Sequence, residues 1–219
     1  MPLKCQWGYS TLMIIRTETM TDLIDDIYFQ ELSEQDPKII CDRALCSYDA
    51  AKAVYSLPVW GDEYRIYPAQ RRIERMGTGV WEDHEFFRLF VIYHILRSKK
   101  IELANEWISE KDIPGGATFF RGPHEIPTHL ISGSFKNDLG GFKKKCERLN
   151  GIPLEMGDAA YLFQITPRIP VALLYWTGDD EFPAEARLLY DRTIAEHLTS
   201  DIIYALAVGI CQGVEEPVG

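Results

Sequence analysis

Three consecutive carboxylates, Asp179, Asp180 and Glu181, stand between two apolar runs at residues 171–176 and 187–190. Gly178 breaks the first run, and Phe182-Pro183 follows the acids. Hard cations such as Mg²⁺ or Ca²⁺ take several carboxylate or carbonyl oxygens, which a tight acidic loop can offer. A carboxylate pair can also do acid–base work when one member is desolvated. Two structural alternatives stand beside these. The acids can form a solvated hairpin tip, with Asp and Gly making the turn. One of them can instead pair with a buried arginine, Arg168 or Arg121.

A second set lies in the segment RGPHEIPTH: Arg121, His124, Glu125 and His129. Two imidazoles and a carboxylate suit Zn²⁺, Fe²⁺ or Co²⁺. A spacing of five does not align the histidines on a helix face, unlike HExxH. Pro127 is expected to open a helix, leaving His124 before it and His129 within it. Loop histidines bonded to backbone carbonyls are the plainer reading. With Phe119-Phe120 alongside, this Gly/Pro-rich segment can also wall a ligand pocket.

Other candidates carry weaker signals. His197 ends a short helix, where a cation faces the helix dipole. His94 shares the apolar side of a strong helix and reads as a core histidine. Three lysines before Cys146 could lower its thiol pKa. Cys41 and Cys46 are five apart, off the i, i+4 register of a shared helix face. There is no CxxC, serine elbow, Walker loop or dinucleotide fingerprint.

The elements that must position these residues follow from periodicity. Residues 21–33 read as an amphipathic helix capped by Thr21 or Thr19. Asp36-Pro37 opens a second helix, running to about Ser47. Alternation at residues 54–57 and 64–67 around Gly61-Asp62 reads as a hairpin, with a third strand near 70–75. Gly77 and Gly79 mark the best hinge. Residues 82–98 form the central packing helix, with Phe86, Phe87, Phe90, Val91, His94 and Ile95 on one side. A helix at 138–149, strands at 161–165 and 169–176, a return strand at 188–190 across the acidic loop, and a helix at 201–211 capped by Ser200 complete the chain. Without a regular β-α-β rhythm, the fold class is α+β with an antiparallel sheet, in a single domain.

At 219 residues the chain can bury a core without a metal or disulfide staple. Its net charge of −10 disfavours nucleic acid and anionic membranes, which need a basic surface. No stretch reaches the ~20 apolar residues of a membrane helix. The five cysteines, sparse and odd in number, suit a reducing cytoplasmic setting. Residues 1–19 lack the apolar core of a signal peptide. Met20 is the expected natural start, with residues 1–19 a flexible extension and 20–219 the domain.

Several blocks resemble a domain family of unknown function found mostly in anaerobic bacteria and archaea. They are ELSEQDP (31–37), GDEYRI (61–66), EWISEKDIPGG (106–116), FRGPHEIPTHL (120–130), the long block 157–191 and AEHL (195–198). The resemblance covers most of residues 21–210 and implies no catalytic residues. Some relatives carry the domain beside a four-cysteine iron–sulfur module, whose cysteines this chain lacks. The expected function is a ligand-binding or accessory protein of anaerobic, metal-cofactor-related metabolism, with a small molecule or a protein as partner. The alternatives are a structural or assembly module, or a small metal-dependent enzyme using His124, His129 and the acids at 179–181. The cofactor, if any, is open.

Overall fold

The computed structural model describes residues 24–77 and 83–215. The expected extension at residues 1–19, the Met20 start, the Thr19 and Thr21 caps and Gly79 lie outside them. Helix α1 (Asp26–Glu34) is capped by Asp25, whose carboxylate accepts from the Ile27 amide. Helix α2 (Pro37–Ala44) starts as its sequence dictates, with Asp36 as N-cap and proline at the first position. It stops short of Ser47 because Leu45 adopts the left-handed conformation, φ 55° and ψ 47°.

The first sheet is an antiparallel meander of β1 (Ser47–Asp49), β2 (Val54–Val59), β3 (Asp62–Tyr67) and β4 (Arg72–Met76). The β2–β3 turn is Trp60-Gly61, one residue earlier than expected, and both residues have positive φ, as a two-residue hairpin loop requires. Trp60 also joins this sheet to the second one. Its amide donates to the Ile165 carbonyl at 2.7 Å, and its ring lies edge-on to Phe163.

Helix α3 (Glu85–Arg97) is the central packing helix, with seven buried residues spread round it. Phe86 is exposed, contrary to its expected place on the apolar side. The segment after α3 supplies β5 (Trp107–Ile108), α4 (Gly116–Phe119), α5 (His129–Phe135) and α6 (Leu139–Arg148). The second sheet has the order β5-β9-β8-β7-β6, all antiparallel, with β6 (Ile152–Leu154), β7 (Ala159–Thr166), β8 (Ile169–Trp176) and β9 (Glu185–Asp191). Strand β8 reads as an unbroken apolar run because both its faces are covered. Val171, Leu173 and Tyr175 enter the main core, while Ala172 and Leu174 join a smaller cluster beside Trp107 and Trp176.

Helices α7 (Ile194–His197) and α8 (Ser200–Glu215) close the fold. The α8 amides of Ile202 and Ile203 bond the Thr199 carbonyl, so Thr199 takes the cap position and the helix begins at Ser200, one residue earlier than expected. The α+β class is as expected, and one hydrophobic core includes residues of both sheets. No described helix is long and apolar enough to cross a membrane.

Helices α3 and α8 approach closely at Gly209, where an added Cβ would meet Phe87 Cδ2 at 2.5 Å and Phe87 Cβ at 3.3 Å. Alanine normally favours a helix interior over glycine by roughly 1 kcal/mol. Here overpacking reverses the sign, and Gly209→Ala is expected to lower stability by about 1–3 kcal/mol in denaturant unfolding.

Candidate functional site

The acidic loop is the β8–β9 connection, and it is braced from three directions. At its start, the Asp158 carboxylate accepts from the Thr177 amide at 2.8 Å and from its hydroxyl at 2.6 Å. Asn137 Oδ1 then accepts from the Gly178 amide at 2.9 Å. Within the loop, Asp179 Oδ1 accepts from the Glu181 and Phe182 amides. The Phe182 and Glu181 amides hold the Asp179 carboxyl below its usual range. Gly178 leaves room for closure, since a Cβ there would lie 2.7 Å from the Ala184 nitrogen. Asp180, Glu181 and Phe182 are left outside, with Phe182 67% exposed.

Beside this loop lies a cleft of about 380 Å³, walled on its other side by α5 and the turn after it. His129, Ser132, Lys136 and Asn137 face Asp179, Phe182 and Pro183 across it. The turn is built by Phe135, Lys136, Asn137 and Asp138, closed by the Asp138 amide on the Phe135 carbonyl at 2.7 Å. Lys136 has φ 49° and ψ −111°, the second position of a type II′ turn, which glycine normally fills. The Tyr175 hydroxyl donates to the Lys136 carbonyl at 2.6 Å, and the Tyr175 ring stacks on Phe142 at 4.4 Å. A residue held in a costly conformation by core side chains marks this wall as specified.

The predicted residues are only partly brought together. His129 and Asp179 share the cleft. His124 stands apart from it, stacked on Phe119 at 4.6 Å and edge-on to Tyr204. Arg121 is exposed and precedes the short 3-10 turn that carries His124. Arg168 binds none of the acids of the loop. Its guanidinium donates to the carbonyls of Arg43 (2.6 Å), Ile101 (3.0 Å) and Asp42 (3.4 Å). It thereby serves the open carbonyl end of α2, a helix-terminal task. Among the described residues, no three His, Cys, Asp or Glu side chains gather closely enough to hold a metal ion.

A family model described as Domain of unknown function (DUF3786) matches residues 36–213. The chain belongs to the DUF3786 family. No curated protein and no solved structure matches it. The cleft, its loop and the Lys136 turn all fall inside the DUF3786 match.

The DUF3786 domain also contains a polar knot, of which the sequence showed only His94 as a core histidine. His94 is fully buried near the Ser98 hydroxyl, and burial pushes it down to about 3, with His197 and Arg168 adding to the effect. His197 is not a solvated cation at a helix end. Its Nδ1 accepts from the Lys99 amide, and burial with Arg168 and Lys99 brings it down to about 4. Asp191, also buried, accepts from the amides of Ala104, Asn105 and Thr193 and from the Thr193 hydroxyl. Burial alone would raise this carboxyl, but the bonds from Thr193, Ala104 and Asn105 bring it below its usual range. Cys146 differs from expectation too, since burial outweighs Lys145 and pushes its thiol up.

Proposed function

We propose that this DUF3786 domain is a ligand-binding or accessory protein whose site is the cleft between α5 and the β8–β9 loop. The observation that carries the proposal is Lys136. Its backbone conformation, φ 49° and ψ −111°, costs about 1–3 kcal/mol for a residue with a side chain. Glycine would relieve that cost, and the residue that stands there instead is a lysine lining the cleft. Lys136, His129 and Ser132 offer a cation and hydrogen-bonding groups, while Phe182 and Pro183 offer a flat apolar wall. That combination suits a small molecule with an anionic group and an aromatic or apolar portion. A second cleft of about 390 Å³, between Lys143 and the β6–β7 turn, is as large, so volume does not choose between them. The strained lysine and the braced loop do.

The cytoplasmic setting and the link to anaerobic, metal-cofactor-related metabolism rest on the cysteine pattern and on the family resemblance, and they belong to the same proposal. A structural role is favoured for one candidate, Arg168, because its donors go to backbone carbonyls. His124, His129 and the acids at 179–181 are not carried forward as one metal centre, since only His129 and Asp179 reach the cleft.

One variant with two readouts separates fold from function. Lys136→Gly is expected to raise stability by roughly 1 kcal/mol through relief of the turn. The test of binding is an amide-resolved NMR titration with benzoate and with phenyl phosphate. Shifts are expected at Lys136, Gly178 and Phe182, and they should weaken in Lys136→Gly. Shifts confined to residues 153–161, or none anywhere, would move the site or remove it.

A further inference from the structure

The carboxyl end of α2 places two thiols together. Leu45 in the left-handed conformation turns the chain back, and the Leu45 and Cys46 amides both donate to the Cys41 carbonyl. This is the helix stop in which the residue after the left-handed one meets the residue five before it, normally through an apolar contact. Here both positions are cysteine, and their sulfurs lie 3.8 Å apart. Both are half-buried, whereas Cys146 and Cys211 are fully buried.

We propose that Cys41 and Cys46 are a thiol–disulfide exchange site, oxidised to an internal disulfide by a low-molecular-weight disulfide. The order of events follows from the hydrogen bond between them. Cys46 is the donor and Cys41 the acceptor, so the first attack is assigned to Cys41. The Cys41 thiolate, having released its proton to solvent, attacks one sulfur of the disulfide RSSR. A Cys41–SR bond forms, the S–S bond breaks, and RS⁻ leaves to take up a proton. Cys46 then loses its proton and attacks Cys41 Sγ, forming the internal bond and expelling the second thiol. The protein dithiol is oxidised by two electrons and RSSR is reduced to two RSH. Burial and the neighbouring Cys41 raise the Cys46 thiol, which disfavours it as the first attacker, and its place beside Cys41 lets it resolve the mixed disulfide. A disulfide needs its sulfurs near 2.05 Å, so the pair must close by less than about 2 Å.

The full chain is incubated in buffers of stepped reduced-to-oxidised glutathione ratio, acid-quenched, alkylated after unfolding and mapped by peptide mass spectrometry. The expected product loses alkylation at Cys41 and Cys46 together, while Cys146 and Cys211 stay alkylated. In Cys46→Ser, a glutathione adduct on Cys41 should accumulate, because the resolving thiol is gone. In Cys41→Ser, an adduct on Cys46 should form roughly tenfold more slowly. A protein that remains fully alkylated, that stops at a glutathione adduct, or that links either cysteine to Cys5 overturns the proposal.

Discussion

Arg168→Met is expected to destabilise the protein by roughly 3–5 kcal/mol. Arg168 is 9% exposed, and it satisfies carbonyls of Asp42, Arg43 and Ile101 at once. Truncation leaves these acceptors without a donor in a place water reaches poorly, and each such group costs about 1–3 kcal/mol. Arg168→Lys should recover only part of the loss, because an ammonium on a single stem cannot span three acceptors fixed by a planar fork. Urea unfolding measures both. A loss below about 1 kcal/mol for the methionine variant would mean that the α2 terminus is held by something else.

Acid should unfold this protein early, through His94 and His197. Both imidazoles are held neutral, with folded values of about 3 and about 4 against an ordinary value of 6.5. The unfolded chain therefore binds protons below 6.5 that the folded chain refuses, so stability is full above that pH and falls as pH drops. Between pH 6.5 and 4 the two together should remove on the order of 5 kcal/mol, at 1.36 kcal/mol per unit of displacement. Arg168 opposes the charging of both, His197 opposes that of His94 and Lys99 that of His197, while Glu196 and Asp191 partly favour charging of His197. Unfolding midpoints measured from about pH 7 down to 4 should fall steeply, and His197→Gln should flatten part of the slope. A flat profile in the parent protein would show that the knot is hydrated or already charged.

Much of the frame was legible because local signals agreed. Asp36-Pro37 set the start of α2, and the apolar runs flanking Gly178 set the β8–β9 hairpin, whose register pairs Leu173 with Leu188. The bracing of the acidic loop was not legible, since Asn137 and Asp158 come from distant segments. Strands β1, β5 and β6 are two or three residues long, too short to show a period. Turns that break residue preference hid the rest. Leu45 and Lys136 stand where glycine is usual, so neither the Cys41–Cys46 contact nor the cleft wall announced itself. His197 misled for a different reason. Helix-end rules assume solvent, and tertiary packing buried it against Arg168 and Lys99.

Native mass spectrometry of the full chain, purified without oxygen, tests the binding claim most directly. The account predicts a fraction of the protein carrying one extra small-molecule mass, absent when Lys136 and Phe182 are both replaced by alanine in a folded variant. The bare chain mass alone in the parent protein, or an extra mass that survives the double replacement, would contradict a ligand site in the α5 cleft.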